Sequence, residues 1–493
     1  MNKSYQRSKE ERQRLAESVE QRGLAEGNTP QPTTTGTQRS DTVSSGLRRV
    51  REAARRDKRL QFTALLHHID ESGLLESYRQ LKRDAAPGVD GQNWKDYQPE
   101  APSRITQLHN KLHQGSYRAL PSRRKRIEKE DGSQRPLGIT ALEDKIVQRA
   151  TVSILNAIYE EDFLGFSYGF RPGRDPHKAL DALWVGLTEK PIQWVVDLDI
   201  QGYFDHIQHD WLMRFLSHRV ADKRLLRLVG KWLRAGVMDG KQWLATEQGS
   251  AQGSVISPLL ANIYLHYSFD LWVQRRRRRE VSGAMIVVRY ADDIVVGFEH
   301  ESEARAFLRD VETRLRQFGL TLHPKKSRLL AFGRGVAEPE TFQFLGFTHI
   351  ASKTRQGRFV IRRKTVNKRL RRKLRELKRE LRLRLHDPVS ETGQWLKQVL
   401  QGFYQYYAVP YNLDCLNQFR YELSRAWLRT LRRRSQKARS LTWEKFKKLI
   451  CDRWLPIPRV LHPWPNVRFR RQHPRQEPYA VVPHVRICTG GAP

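Results

Sequence analysis

The sequence contains few cysteines and no long apolar run, and both absences exclude whole classes of protein. Its three cysteines, Cys415, Cys451 and Cys488, lie far apart and form no C-x-x-C pair. A disulfide framework or a cysteine-rich zinc site is therefore not indicated, and a reducing cytosol fits. No segment approaches the roughly 18 consecutive apolar residues of a spanning helix, and the N-terminus does not resemble a signal peptide. We therefore expect no membrane association.

Acidic residues are scarce relative to basic ones. The 493 residues include 90 Lys and Arg against 53 Asp and Glu, which gives a formal net charge of +37. Such an excess favours a polyanionic partner, because it raises the rate and strength of association with nucleic acid. Hydrophobic residues make up 39% of the chain and aromatic residues 10%, which is enough for packed cores.

Changes in pattern divide the chain into regions. Residues 1–45 are polar and lack apolar periodicity, so we predict a disordered tail. Between about 92 and 347, helical segments alternate with short apolar strands, and the chemistry should lie there. Beyond 347 the pattern becomes helical and strongly basic, and from about 455 it is rich in Pro, Arg and aromatic residues. One helix face in the basic region carries an apolar stripe: Leu370, Leu374, Leu377 and Leu381.

Two adjacent acidic residues interrupt an apolar pattern at 285–298, MIVVRYADDIVVGF. Two β-branched runs meet at Asp292 and Asp293, in a turn that has no Gly or Asn. The two like charges repel one another, and a divalent cation would remove that repulsion. The alternative is a solvated acidic turn.

A second apolar strand also carries carboxylates. In VVDLDIQGYF at 195–204, strand alternation places Asp197 and Asp199 on one face. Carboxylates from two strands are what a two-metal phosphoryl-transfer site needs. Their hard oxygen ligands hold Mg²⁺ ions about 3.5–4 Å apart.

Further motifs accompany these two strands in a fixed order. The motifs on the two strands are YADD at Tyr290–Asp293 and DIQGYFD at Asp199–Asp205. The chain also contains RPLGI at Arg135–Ile139, YGFRPGRD at Tyr168–Asp175, QGSAQGSVISPLLANIYL at Gln248–Leu265, LHPKKSRLL at Leu322–Leu330 and FQFLGF at Phe342–Phe347. With this order of motifs, the sequence resembles the reverse transcriptases encoded by group II introns, the bacterial maturase–reverse transcriptase family, from about Gly46 onwards.

The resemblance implies an α+β fold, the right-hand fingers and palm of a polymerase, followed by an α-helical thumb and maturase domain. The expected regions are a tail at 1–45, fingers and palm at 46–350, thumb and maturase at 351–450, and a basic, aromatic extension at 451–493. Many members end in a zinc-stabilised HNH nuclease with paired cysteines. Because no C-x-x-C occurs here, we expect no such domain.

The resemblance also implies site residues. Asp199, Asp292 and Asp293 would be the catalytic residues and the ligands of two Mg²⁺ ions, with Asp199 preferred over Asp197. The implied nucleotide-binding residues are Lys129, Arg135, Phe204, Gln252 and Lys326. The implied RNA and primer–template contacts are Arg171, Arg362, Arg363, Lys364, Lys368, Arg371, Arg372 and Lys373.

Several of these residues also allow a structural interpretation. Phe204 would exclude a ribose 2′-hydroxyl by its bulk, or it is a core phenylalanine. Lys129 and Arg135 would flank a hairpin over the triphosphate, or they belong to a solvated turn. Lys326 would protonate pyrophosphate, neutralise phosphate, or be a plain surface lysine. The aromatic segment 402–413 would stack on unpaired bases or pack within a helix.

The sequence departs from the commonest family form at two points. Ser250 and Ala251 stand where Thr and Pro are frequent, and Ser327 stands where Thr is usual. Losing the proline relaxes the local backbone but removes no functional group, so we expect activity to persist.

The implied function is an RNA-dependent DNA polymerase that also assists splicing of its own intron and copies the intron RNA during mobility. Its partners would be group II intron RNA, an RNA template–DNA primer hybrid, dNTPs and target DNA, in the bacterial cytoplasm near nucleoid or RNA. The sequence leaves a homodimer open. Two alternatives remain: a splicing cofactor whose polymerase is vestigial, and a defence- or CRISPR-associated reverse transcriptase.

Overall fold

The computed structural model describes residues 45–128 and 134–465. The disorder predicted for the N-terminal tail, the predicted role of Lys129 and the last part of the C-terminal extension lie outside these residues. Within the described ranges, every helix is too short or too polar to span a bilayer.

Helices and short strands alternate through the first three quarters of the described chain, and helices follow alone. The helices are α1 (Ser45–Arg56), α2 (Glu71–Arg79), α3 (Trp94–Tyr97), α4 (Ala101–His113), α5 (Leu142–Asp162), α6 (Pro176–Glu189), α7 (His209–Ser217), α8 (Lys223–Arg234), α9 (Ser257–Leu265), α10 (Leu271–Arg279), α11 (Glu301–Arg316), α12 (Asn367–Leu383), α13 (Val389–Tyr407), α14 (Leu413–Arg432), α15 (Gln436–Arg439), α16 (Trp443–Phe446) and α17 (Asp452–Trp454). The strands are β1 (Ser122–Glu128), β2 (Gln134–Ile139), β3 (Trp194–Asp199), β4 (Val237–Asp239), β5 (Gln242–Leu244), β6 (Met285–Tyr290), β7 (Asp293–Phe298), β8 (Arg328–Ala331), β9 (Thr341–Phe344), β10 (Phe347–Lys353) and β11 (Phe359–Thr365).

The central sheet has the strand order β6-β7-β3-β8, with antiparallel neighbours throughout. Every residue of β6 is buried, because α6 packs against one side of the sheet while α11 covers the other. Both faces are therefore apolar, and β-branched residues suit such a strand. The sheet leaves the ends of β3 and β7 at its edge, where the acidic residues lie.

Two smaller sheets flank the central one. The outer sheet has the order β2-β1-β4-β5, in which β1 and β4 run parallel. The small sheet has the order β11-β10-β9. Helices pack on the sheets, and a helical region follows them in the chain. This arrangement confirms the α+β fold that the resemblance implied.

The helical region begins later than expected. A strand, β11, occupies 359–365, and α12 starts only at Asn367, whereas helices were expected from 351. The correction has a local cause, since FVIRRKT pairs along its whole length with β10. The predicted stripe on α12 does face inward, with Leu377 and Leu381 fully buried. The domain division itself stays a prediction.

A buried ion pair anchors β11 to α6. Arg363 donates to Asp181 at 3.0 Å, and both side chains are only 2% exposed. Nearby, the Trp184 indole donates to the Ile361 carbonyl at 2.9 Å. The last strand before the helical region is thus fastened to the body of the molecule.

We predict that Asp181→Ala lowers the free energy of unfolding by about 3–5 kcal/mol, because Arg363 would stay buried without its carboxylate. Chemical denaturation followed by circular dichroism measures this. The matched control is Glu52→Ala, which removes an exposed pair with Arg48 at 3.9 Å and should cost less than about 1 kcal/mol. Equal losses in the two variants would contradict the anchoring role.

Candidate active site

The turn between β6 and β7 has an unusual backbone. Tyr290 and Asp293 pair across the hairpin, and Ala291 between them has φ +55°. A residue with a Cβ adopts this left-handed conformation only at some cost. Gly169 packs against the turn so closely that a Cβ there would lie 2.3 Å from the Ala291 nitrogen. The turn is therefore held by its surroundings.

Arg289 supports this turn from inside the protein. Its side chain is 0% exposed, and it donates to both carboxylate oxygens of Asp270, at 2.8 and 2.6 Å. Its other contacts are the Asn262 side-chain oxygen at 3.0 Å, the Ala291 carbonyl at 3.1 Å and the Ser167 hydroxyl at 2.7 Å. A bidentate pair with further hydrogen bonds is the arrangement that makes a buried guanidinium tolerable. Arg289 thereby fixes the carbonyl that precedes Asp292.

The structure brings the three predicted aspartates together. Asp199 ends β3 and pairs in register with Asp293, the first residue of β7, while Asp292 lies in the turn. The pKa of Asp292 is raised by desolvation and by the charge of Asp199. Desolvation and then the charges of Asp292, Asp199 and Asp197 raise the pKa of Asp293. Asp293 reaches solvent at the mouth of the site, so repulsion among carboxylates is the cause that matters for ion binding.

These oxygens suit a hard divalent cation, and their mutual repulsion fits one. Asp199 has a lysine as its positive partner, since its carboxylate lies 3.2 Å from the Lys326 ammonium. Within the described ranges, no three carboxylate, imidazole or thiolate groups already converge around a common point. The aspartates thus supply oxygen ligands, and these oxygens would have to come closer together to coordinate an ion.

Asp197 lies deeper than Asp199 on the same strand. Burial raises the pKa of Asp197 to about 7, which Arg328 at 3.9 Å opposes. Asp199, at the strand end and about one third exposed, is the residue opposite Asp293. This placement supports the choice of Asp199.

Phe204 is partly buried and lies just beyond β3 in a short 3₁₀ turn. Its carbonyl accepts from the Ser250 amide at 2.8 Å. Its neighbour Tyr203 is the buried ring of the pair and donates its hydroxyl to the Ala261 carbonyl. Tyr203 therefore fills the core position, while Phe204 packs against the core and stays partly exposed.

The Gln252–Gly253 segment approaches β2 closely. The Gln252 carbonyl accepts from the Gly138 amide at 2.6 Å, and Gly253 has φ +109°. A Cβ on Gly253 would lie 2.8 Å from the Gly138 carbonyl oxygen, so only glycine fits. The backbone of this segment is therefore in close contact with β2, the strand that carries Arg135.

Serine hydroxyls replace the missing proline in this loop. Ser250 and Ser257 share a hydrogen bond at 2.6 Å, and Ser254 bonds to Ser257 as well. All three side chains are buried. The loop is thus fixed without the more usual Thr-Pro pair.

Arg135 is exposed on β2, and its positive charge partly opposes the rise in the pKa of Asp292. Strand β2 and the turn that carries Asp292 are therefore electrostatically coupled. Lys326 lies in the same region through its contact with Asp199.

Two predicted nucleic-acid contacts are wrong, because both arginines are buried and engaged by the protein. Arg171 is 7% exposed and is bound by Glu160 at 3.0 Å and by the Leu164 and Ser167 carbonyls at 2.8 Å. Arg363 is the anchor to Asp181. Arg362 and Lys364, on either side of it, lie on β11 rather than on a helix.

The remaining predicted contacts lie on α12. Lys368, Arg371 and Arg372 are exposed, and Lys373 is partly exposed beside Glu376 at 3.2 Å. Their role stays a prediction.

Aromatic side chains at the end of α13 pack within the protein. Tyr404 and Tyr407 are buried, and Tyr406 donates to the Leu345 carbonyl at 2.8 Å. Leu345, in the turn between β9 and β10, has φ +48°. Internal packing therefore accounts for these three rings.

Sequence reasoning missed Arg289 and Arg369. A charged residue inside the apolar run MIVVRY was a usable signal, because a buried charge requires a partner. Arg369, on α12, partly opposes the rise in the pKa of Asp293 and lies against Gly346. Nothing in the sequence separates it from the many basic residues around it.

Comparison with known proteins gives consistent matches. The sequence model described as reverse transcriptase (RNA-dependent DNA polymerase) matches residues 127–349, which include all three aspartates. The chain is 36% identical over 286 residues to Protein YkfC of Escherichia coli (strain K12), covering 52% of this chain and 75% of that protein. It is 39% identical over 164 residues to group II intron-encoded protein LtrA of Lactococcus lactis subsp. cremoris, covering 33% and 27%. It is 29% identical over 92 residues to nuclear intron maturase 1, mitochondrial, of Arabidopsis thaliana, covering 19% and 13%.

We predict that Arg289→Lys loosens the turn, because one ammonium cannot bind Asp270, Asn262 and Ser167 together. Each lost hydrogen bond to a charged group is worth about 1.5–3 kcal/mol. Amide hydrogen exchange measured by mass spectrometry should accelerate at least about tenfold over residues 290–293. Arg275→Lys is the matched control. Arg275 is exposed on α10, so its replacement should leave this exchange unchanged. Unaltered exchange in Arg289→Lys would refute the role given to the arginine.

Proposed function

The chain belongs to the reverse transcriptase family, among the proteins encoded by group II introns, and we propose that its three clustered aspartates form the catalytic centre. The expected RNA-directed DNA polymerase and intron maturase functions are those of this family. Neither the vestigial polymerase nor the defence-associated enzyme is favoured. Intron RNA is the class of RNA that such proteins bind.

The register of the central sheet carries the proposal. Asp199 lies opposite Asp293, and Asp292 precedes Asp293 in the chain, so three carboxylates meet at one edge. Desolvation and the repulsion among the carboxylates raise the pKa values of Asp292 and Asp293, and bound cations would relieve the repulsion. We infer that they hold two Mg²⁺ ions, which would stabilise negative charge on the attacking and leaving oxygens.

The reaction is attack by the 3′-hydroxyl oxygen of a DNA primer on the α-phosphorus of a dNTP, with loss of pyrophosphate. Lys326, whose ammonium lies 3.2 Å from the Asp199 carboxylate, would instead bind a phosphate oxygen when the nucleotide is present. Arg135, on β2, and Lys129 would neutralise the charge of the triphosphate.

The loop at 248–253 and Phe204 would select the nucleotide. Since the Ser250 amide holds the Phe204 backbone, the ring has a fixed position beyond Asp199. A bulky ring there excludes a ribose 2′-hydroxyl by clash. Gln252 lies on the same loop, which its backbone carbonyl joins to Gly138, and its side chain would contact the nucleotide.

The exposed cations of α12 would bind the RNA template–DNA primer hybrid through its backbone, which requires charge and shape rather than base reading. Arg362 and Lys364 extend this surface on β11. We propose intron RNA and target DNA as further partners, with fingers and palm at 46–350 and the thumb and maturase region after them.

We predict that replacing Asp292 and Asp293 together by Ala abolishes primer extension on an RNA template, because the ligands of both ions are lost. The measurement is incorporation of labelled dNTP with Mg²⁺, and chelation of the metal should abolish it in the wild type. Glu312→Ala, in an exposed pair with Arg316 on α11, is the control and should keep full activity. Undiminished synthesis by the double variant would rule out this site.

The proposed maturase function has a separate test. The double variant should still accelerate splicing of the group II intron RNA transcribed from the DNA flanking the gene, because RNA binding does not use the aspartates. Absence of such an RNA would refute the splicing role and leave the polymerase role standing.

We predict that Phe204→Val lowers discrimination against ribonucleotides at least about tenfold, because a smaller side chain leaves room for the 2′-hydroxyl. The measurement is the ratio of kcat/KM for dNTP and rNTP. Phe204→Tyr preserves the bulk and should preserve discrimination. An unchanged ratio in Phe204→Val would identify Phe204 as a packing residue.

A further inference from the structure

Helix α5 buries polar side chains that bind segments outside the helix. The Asp144 carboxylate accepts from the Leu120 amide at 3.1 Å. One turn further along the helix, the Gln148 side-chain oxygen accepts from the Val255 amide at 3.0 Å, and Gln148 is only 1% exposed. Breaking such a buried hydrogen bond leaves a backbone amide without its partner, which is costly. Gln148 therefore joins α5 to a segment that lies 107 positions later in the chain.

That segment is the loop at 248–257, which connects two parts of the candidate active site. Its Ser250 amide donates to the Phe204 carbonyl at 2.8 Å. Further along the loop, the Gln252 carbonyl accepts from the Gly138 amide on β2 at 2.6 Å. The hydrogen bond from α5 adds a third attachment, close to the point where the loop enters α9.

A small cavity lies between α5 and this loop. Its volume is about 20 Å³, and its walls include Asp144, Gln148, Ser250 and Ser254. Atoms that line a cavity lack contacts on one side, so packing holds the helix and the loop together less firmly at this point. The serine hydroxyls bond to one another around Ser257, which stiffens the loop but does not attach it to α5. The distance between helix and loop therefore depends on the hydrogen bond of Gln148.

We infer that Gln148 is a positioning residue for nucleotide binding: by holding the Val255 amide, it fixes the place of the 248–257 loop against the incoming dNTP. Gln148 is buried and acts through the loop, not on the substrate. The inference rests on the proposed function, in which Gln252 of this loop contacts the nucleotide. A displaced loop would bind dNTP more weakly and leave the aspartates unchanged, so the effect belongs to substrate binding.

Steady-state primer extension on an RNA template tests the inference. Gln148→Met keeps the side-chain volume but removes the acceptor, so the KM for dNTP should rise about tenfold while kcat changes less than about twofold. Gln148→Glu keeps an oxygen acceptor, and its KM should stay within about twofold of the wild type, whatever its thermal stability. If Gln148→Met does not fold, Gln148→Ala removes the acceptor without adding apolar volume beside Asp144.

Gln193→Met is the matched control. The Gln193 side-chain oxygen also accepts from a backbone amide, that of Gly335 at 3.1 Å, but Gln193 precedes β3 at the end of the strand opposite Asp199. This variant should keep the wild-type KM. Fluorescence anisotropy should show unchanged affinity for the RNA–DNA hybrid in every variant. An equal rise in KM in Gln148→Glu, or a parallel loss of hybrid affinity in Gln148→Met, would indicate a general structural role and overturn the inference.

Gln252→Ala separates failure of the inference from failure of the proposed function. If Gln252→Ala raises the KM for dNTP and Gln148→Met does not, the loop binds nucleotide without depending on Gln148, and only the inference is overturned. If neither variant raises the KM, the nucleotide contact proposed for this loop is wrong, and the inference is overturned with it. A raised KM in both variants, with wild-type values in Gln148→Glu and Gln193→Met, supports the positioning role.

Discussion

Arg289 carries its positive charge inside the central sheet, and it remains there because Asp270 supplies the opposite charge at hydrogen-bonding distance. Removing one partner of such a pair leaves an uncompensated buried charge, which is among the costliest single changes in a protein interior. The guanidinium has further N–H groups beyond those that bind Asp270, and one of them donates to the Ala291 carbonyl. The left-handed turn, and with it the direction of Asp292 and Asp293, therefore depends on this ion pair.

The partners of Arg289 come from separate parts of the chain. Ser167 precedes α6, Asn262 lies on α9, and Asp270 ends the π-helical turn that follows α9. Asn262 also donates to the Gly169 carbonyl at 2.6 Å, beneath the turn. Segments about a hundred residues apart must consequently be packed before the turn at 290–293 takes its shape. The motifs that the sequence showed in order are thus joined physically around one guanidinium.

The sequence could identify the aspartates because each ends a short apolar strand, a local pattern that the resemblance then sharpened. It could not distinguish Arg363 from Arg362 and Lys364, because Asp181, which buries Arg363, lies 182 positions earlier. The same limitation led to the wrong assignment of β11, whose basic letters continue directly into α12. The prediction that Arg171 contacts nucleic acid was wrong for a similar reason, since its partner Glu160 lies on a preceding helix. Burial of a charged residue is decided by contacts that are distant in the chain.

The outer sheet shows another limit of local patterns. Strands β4 and β5 have three residues each, too few for periodicity to appear. Their direction relative to β1 follows from a parallel pairing that no neighbouring residues specify. The face of the sheet on which each residue of β4 and β5 lies therefore emerged only from the register.

The Arg363–Asp181 anchor has a mechanical consequence. It joins the last strand before α12 to a helix that packs on the central sheet, and the Trp184 indole reinforces the joint. The strand that leads into the basic helix is therefore held to the same helix, α6, that packs against β6 of the central sheet, so the start of α12 and the sheet edge with the aspartates share one support.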